Sequence, residues 1–468
     1  MLLTAIVIYL LITVLIGAWS SKLVKNSNDF VLAGRQLPLF LSASALFATW
    51  FGSETIFGAS SEYLEHGLQG VIEDPFGGAL CLILFGAFYL RPMYRMNVLT
   101  IGDVYRKLFG PRVEFFASIF MIPSYFGYVA AQLVALALIF TSVSDLTIAQ
   151  GILISAGIVV FYTFLGGMWA ISITDFIQTT LIVVGLVWVA VLVAEKAGGV
   201  MPILESAPEG SYQFLPDMNG ISWLNYLGAW MILGIGSIPS QDIYQRVMAS
   251  KSEKVAIRST YLAGAFYVTI GLLPLFIALG AKFLYPEIYL ENKQLLLPEM
   301  VLRHSGLHVQ VLFFGALISA IMSTTSSGLL APSAIISENL IRPYFGSKLK
   351  DSHFLWILRL NIVSVAIVAT LMAHWKTNIY ELVAGASILM MVSLFVPLTA
   401  GLYWKKASEM GALMSIVLGM IAFLGFSLVE ELPIYPHLPA LGISALSMVV
   451  GSYIFPHKPK THVTISHH

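Results

Sequence analysis

Apolar residues in this chain fall in long unbroken stretches, without the alternation of half-buried strands or the three-to-four spacing of surface helices. A helix that crosses the hydrocarbon of a bilayer needs about 20 mainly apolar residues. About thirteen such stretches occur, near 2–20, 41–60, 76–96, 115–142, 147–167, 171–195, 222–243, 257–284, 306–337, 354–373, 379–402, 410–428 and 438–456. The pattern predicts an all-α integral membrane protein of about 13 transmembrane helices. Only the loops near 196–221 and 285–305 are long. The first stretch has no basic leader and no small-residue cleavage site, so it reads as a span and not as a removable signal.

Composition agrees. The chain of 468 residues is 58% hydrophobic and 11% charged, with a mean hydropathy of +0.84, against about 25% charged in soluble domains. So much apolar surface needs lipid as its solvent. Net charge is zero, which gives nucleic acid no general attraction, and the one cysteine, Cys81, excludes an internal disulfide framework. About twenty Lys and Arg fall in alternate loops on one side, among them Arg35, Arg95, Arg106, Lys251 and Arg359, whereas Lys196, Lys282, Lys293, Arg303 and Lys376 fall on the other. The positive-inside bias predicts the N-terminus outside and the C-terminus in the cytoplasm, in a plasma or inner membrane. No Walker phosphate loop is present. His304, His308 and His374 lack metal-ligand spacing. A secondary transporter or a channel is expected, and not an enzyme.

Polar residues inside spans are costly and need a reason. The second stretch carries Thr49, Gly52, Ser53 and Glu54; glycine and serine at its centre predict an unwound backbone whose carbonyls can bind a cation. A close-packed interior helix would use the same small residues. The seventh carries Gly234, Gly236, Ser237, Pro239, Ser240, Gln241 and Asp242, which predicts a second interruption. Asp242, Gln245 and Arg246 are expected near its cytoplasmic end, as a gate or as snorkelling groups. Two interrupted spans five apart predict a five-plus-five inverted repeat with broken first and sixth core helices. The corresponding division is 1–40, an extra helix and loop; 41–196, the first repeat; 197–402, an outer loop and the second repeat; and 403–468, extra helices and tail.

In the ninth stretch Ala320, Ser323, Thr324 and Ser327 share one helix face, with Ser326 beside them. Hydroxyls and a local carbonyl are the ligands a hard cation prefers, although serines in membrane helices also bond back to their own turn. In the sixth, Asp175 would be an unpaired charge if buried, and a sodium ion would neutralise it.

The runs Gly166-Gly167…Thr174-Asp175-Phe176-Ile177-Gln178 and Ala320-x-Met322-Ser323-Thr324, in order and on these spans, resemble the sodium:solute symporter family from about Phe30 to Trp404. The resemblance implies the leucine-transporter fold with extra terminal helices. It also implies a sodium site formed by the carbonyls of Ala48, Phe51 and Ala320 and the hydroxyls of Ser323 and Thr324. Asp175, Ser326 and Ser327 match members that use a second sodium, so a second Na+ is allowed. The runs around Trp50 and from Ile238 to Arg246 resemble the choline-transporter branch, whose aromatic cage holds a quaternary ammonium by cation–π attraction. Trp50 and Tyr128 fit two walls of that cage; Ser240 stands where an aromatic would form the third.

The expected substrate contacts are therefore Trp50, Glu54, Tyr128, Ser240 and Gln241, with Asp242 and Arg246 as gating residues. Glu54, Glu73 and Asp74 would favour a cationic solute, the last two at the outer mouth. The expected function is sodium-coupled import of a small organic solute, an organic cation or an amino-acid-like compound, by alternating access. A solute receptor, a channel and a proton-coupled carrier of the same fold are the alternatives. The expected partners are the solute, sodium and the lipid bilayer, with no nucleic acid.

Overall fold

The computed structural model describes residues 1–291, 293, 295–345, 350–375, 378–429 and 431–456. Lys376 and the tail after residue 456 lie outside the described residues. Among those described, the structure is helical, and its one bridge of β type joins Leu37 to Ser250. Among the described residues, ten helices are long and apolar enough to cross a membrane.

The principal helices are α1 (Leu2–Ser20), α2 (Leu39–Trp50), α3 (Ala59–His66), α4 (Ile101–Phe109), α5 (Pro111–Val143), α6 (Ile148–Lys196) and α7 (Gly220–Gly234). There follow α8 (Gln241–Ala249), α9 (Glu253–Leu284), α10 (Leu307–Ile335), α11 (Asp351–Trp375), α12 (Ile379–Met390), α13 (Glu409–Ser427) and α14 (His437–Ile454).

These elements are not thirteen straight rods. The stretches at 147–167 and 171–195 run together as α6, bent at Gly167, where φ is 52°. A Cβ there would lie 2.5 Å from the Phe30 carbonyl oxygen, so both the left-handed backbone and the close approach call for glycine. The stretch at 41–60 is divided into α2 and α3, and that at 222–243 into α7 and α8.

α10 is the axis of the core. From Phe313 to Ile335 nearly every side chain is buried, the serines and threonines included, as α10 packs against α5 and α6. α1 lies outside, leaving Val7, Ile8, Leu11 and Leu15 exposed; Tyr9 anchors it through a 2.6 Å hydrogen bond to Ser319.

At the basic end of the bundle, Leu37 N–H donates to the Ala249 carbonyl and Lys251 N–H to the Leu37 carbonyl, both at 3.0 Å. The segment leading into α2 is thereby joined to the end of α8 by main-chain bonds. Nearby, Thr100 and Asp103 form a capping box on α4. Asn339 ties it to the start of α5, donating to Asp103 at 3.0 Å and to Glu114 at 2.9 Å.

Candidate functional site: two helix breaks around one cavity

α2 stops at Phe51, whose backbone (φ −81°, ψ 77°) is not helical. Gly52 explains how other groups reach this break. A Cβ on Gly52 would lie 2.8 Å from each of Gln132 Oε1, Glu54 Oε2 and Thr324 Oγ1, so three side-chain oxygens converge on bare backbone. One amide from α5 serves two groups freed by the break: Gln132 Oε1 accepts from Ser53 N–H at 3.0 Å, and its Nε2 donates to Glu54 Oε2 at 2.7 Å. This is the satisfaction an unwound backbone needs away from water.

The second break spans Ile235 to Ser240, between α7 and α8. Tyr125 caps the new helix start. Its phenol oxygen accepts from Gln241 N–H at 2.8 Å and Asp242 N–H at 3.1 Å, and its hydroxyl donates to Asp242 Oδ1 at 2.7 Å. Such first-turn N–H groups have no intrahelical partner. Trp50 Nε1 donates to Asp242 Oδ2 at 2.7 Å, bonding one break to the other.

Between the breaks lies a cavity lined by Trp50, Tyr125, Tyr128 and Tyr267, by the acidic Glu54 and Asp242, and by the apolar Leu233, Val383, Ala386 and Met390. Ser124, Ser237, Ser240 and Ser387 also face it. Ser237 and Ser387 bond to each other at 3.0 Å, whereas the hydroxyls of Ser124 and Ser240 are buried without a partner. Unsatisfied buried hydroxyls are costly, and here they face space that a solute would fill. Tyr128 is fixed by donating to the Thr49 carbonyl at 2.7 Å.

Beside the first break, Thr324 Oγ1 lies 3.2 Å from the Ala48 carbonyl and 3.1 Å from that of Ala320. Ala48, Ala320 and Thr324 are thus brought together, and Phe51 stands at the break itself. Ser323, beside Thr324 on α10, donates to Asp175 Oδ1 at 2.5 Å, which leaves its oxygen lone pairs available. Ser326 and Ser327 donate to the Ser323 carbonyl at 2.9 and 2.8 Å. The Arg246 guanidinium donates through Nη2 to the Ser327 hydroxyl.

Four expectations need correction. Asp242 is not at the cytoplasmic end of its span: the break resets the register, and it sits in the cavity wall with 3% exposure. Arg246 does not snorkel at the end of its span; it is fully buried, its guanidinium donating to Ser327 on α10. Gln241 does not line the cavity, because its Oε1 accepts from Ile101 N–H at 2.8 Å, capping α4. Asp74 is not at an outer mouth either. It is buried behind the cavity, where Tyr267 bonds to its Oδ1 at 2.6 Å, to the Trp50 carbonyl at 2.8 Å and to Thr55 at 2.9 Å.

Tyr125, Gln132, Tyr267 and Ser124 escaped the sequence reading. Tyr125 carried a signal, standing one turn before Tyr128 on the same face. Gln132 was the amide in an otherwise apolar run from Val129 to Ile139. Tyr267 and Ser124 carried none.

A helical membrane bundle in which two interrupted helices bond to each other around a shared polar cavity is the core of a secondary transporter. The chain belongs to the sodium:solute symporter family, whose model matches residues 30–419. It is 28% identical to the high-affinity choline transporter 1 of Drosophila melanogaster, over 86% of this chain and 67% of that one. It is 26% identical to the osmoregulated proline transporter of Bacillus subtilis, over 96% and 93%. In three dimensions it resembles a Na+-coupled sialic acid symporter in a substrate-bound outward-open state, with a TM-score of 0.84, 19% identity and 98% of both chains covered. Mhp1, a nucleobase-cation-symport-1 family transporter, gives 0.62 at 18% identity, over 93% and 97%. Members of this family are transporters, and the many apolar helices mark an integral membrane protein.

Proposed function

We propose that the chain imports a small solute bearing a quaternary ammonium or amine, driven by sodium, by alternating access across a plasma membrane with its N-terminus outside. The observation that carries this is the Asp242 carboxylate, held in the cavity wall by Trp50 and Tyr125. Of Asp242, the Arg246 guanidinium reaches the main-chain carbonyl, at 3.5 Å, while its Nη2 bonds to Ser327. A carboxylate in a cavity lined by four aromatic side chains suits an organic cation, through charge and cation–π attraction together. Glu54 adds a second acidic group to the same wall. The free hydroxyls of Ser124 and Ser240 suit a hydroxyl or carbonyl elsewhere on the solute. High-affinity choline carriers among the relatives support this solute class more than the proline carriers do, because an amino acid's carboxylate would face two acidic side chains.

The carbonyls of Ala48, Phe51 and Ala320 and the hydroxyls of Ser323 and Thr324 offer the coupling sodium an all-oxygen set. Coupling follows from position. Thr324 and Glu54 converge on the same bare backbone at Gly52, so an ion on one side and a solute on the other both favour the ordered break. Two ligands that favour one state bind cooperatively.

The test is uptake into proteoliposomes of choline, betaine, proline, other amino acids and sugars, with an inward sodium gradient and again with potassium in its place. Sodium-dependent accumulation of choline or another amine is the expected result. Equal uptake in potassium, or accumulation of sugars alone, overturns the reading.

A further inference from the structure

Tyr267, on α9, joins the cavity wall to a buried acid behind it. Its phenol oxygen lies 2.6 Å from Asp74 Oδ1, 2.8 Å from the Trp50 carbonyl and 2.9 Å from the Thr55 hydroxyl. A phenol carries one hydrogen, and neither a main-chain carbonyl nor an ionised carboxylate can supply another. With Asp74 charged, one of the two short approaches to those oxygens would hold no hydrogen. A proton on Asp74 Oδ1 completes the set: Asp74 and Thr55 donate to Tyr267, and Tyr267 donates to the Trp50 carbonyl. Burial argues the same way. Asp74 is 1% exposed, its Oδ2 has no partner, and no basic side chain bonds to either oxygen. The titratable groups that face it are Tyr267 on α9, Glu54 after the first break, the neighbouring Glu73 and Tyr380 on α12, none of them basic. A buried charge with no partner is strongly disfavoured.

We infer that Asp74 is a proton-binding site tied to the first helix break, holding a proton while the Trp50 carbonyl is bonded to α9. When the proton leaves Oδ1 for water, the Tyr267 hydrogen turns to the carboxylate, and the Trp50 carbonyl keeps only the N–H of Gly52, at 3.0 Å. Trp50 and Tyr267 both line the cavity. A solute packed against them and a proton on Asp74 therefore favour the same arrangement, and each strengthens binding of the other. The sense of the effect is distinctive. Losing a proton from Glu54 or Asp242, in the cavity itself, would strengthen the hold on a cation, whereas losing the one on Asp74 weakens it. The coupling rests on the cavity being the solute site proposed above; the proton on Asp74 does not.

Two measurements on the purified full chain test this. Infrared spectra of the natural protein and of Asp74→Asn are subtracted at neutral pH, and the difference should contain the carbonyl stretch of a protonated carboxyl. A carboxylate band in its place overturns the inference. Choline is the binding probe, because its quaternary ammonium does not titrate. From neutral to alkaline pH its affinity for the natural protein should fall by about tenfold, an ordinary size for coupling between two sites. Asp74→Asn, whose amide donates to Tyr267 at every pH, should keep the neutral-pH affinity throughout. An affinity that does not fall as pH rises, or that falls equally in both proteins, overturns the coupling. If Asp74→Asn does not fold, Tyr267→Phe replaces it in the infrared: loss of the phenol should move the protonated-carboxyl band, and an unmoved band overturns the site. Choline that binds at no pH would sink the solute reading instead, and the proton site would then stand or fall by the infrared band.

Discussion

The indole N–H of Trp50 and the Oδ2 of Asp242 lie 2.7 Å apart, joining the last turn before one helix break to the first turn after the other. A solute that takes up Asp242 therefore acts on both broken helices at once. Asp242→Asn removes the charge and one of the two acceptor oxygens that Trp50 and Tyr125 use. A hydrogen bond to a charged group contributes ~1.5–3 kcal/mol, so the affinity for an organic cation should fall roughly ten- to a hundredfold. Unchanged affinity in equilibrium binding would remove Asp242 from the solute site.

Ser323→Ala and Thr324→Ala each delete one oxygen from the set assigned to sodium. The sodium concentration for half-maximal uptake should rise by about tenfold or more, at unaltered protein abundance. Normal uptake at low sodium in either variant would show that the ion sits elsewhere.

The serine and threonine stripe of α10 and the weak centre of the second stretch were legible because residue types alone reveal them: hydroxyls in an apolar span and a glycine beside an acid. The placement of Asp242 was not. A six-residue break moves every later side chain along the axis, and its length cannot be read from residue types. Gln241 was misjudged for a related reason, since its partner Ile101 is distant in sequence and is met only through the fold. Tyr267 lies on α9, whose pattern is simply that of a span; its three bonds to Trp50, Thr55 and Asp74 are tertiary and leave no local trace.

Gly52→Ala tests the convergence of oxygens at the first break. The added methyl would meet Gln132, Glu54 and Thr324 at 2.8 Å each, and overpacking of this kind costs about 1–3 kcal/mol. Sodium-stimulated uptake should be lost while the helix content measured by circular dichroism persists. Full sodium-stimulated uptake in the alanine variant would contradict the crowded arrangement.

Gly167→Ala acts far from the cavity. A left-handed backbone costs a non-glycine residue about 1–3 kcal/mol, and the methyl also strikes the Phe30 carbonyl at 2.5 Å. The melting temperature in detergent should drop by several degrees, whereas Gly157→Ala, which meets nothing within 4 Å, should leave it unchanged. Equal melting of the two variants would mean that the bend does not constrain the fold.

The bonds between Leu37 and the residues 249 and 251 are made by main chain alone. No side chain takes part in them, so a substitution that fits the buried sites of Leu37 and Ala249 leaves α8 laced to the segment that leads into α2. Proline at 37 or 251 is the exception, since it lacks the N–H. The two interrupted helices are therefore joined at this end through main chain, independently of the residues that line the cavity. Chemistry inside the cavity is thus free to diversify while the linkage that carries its motion stays fixed.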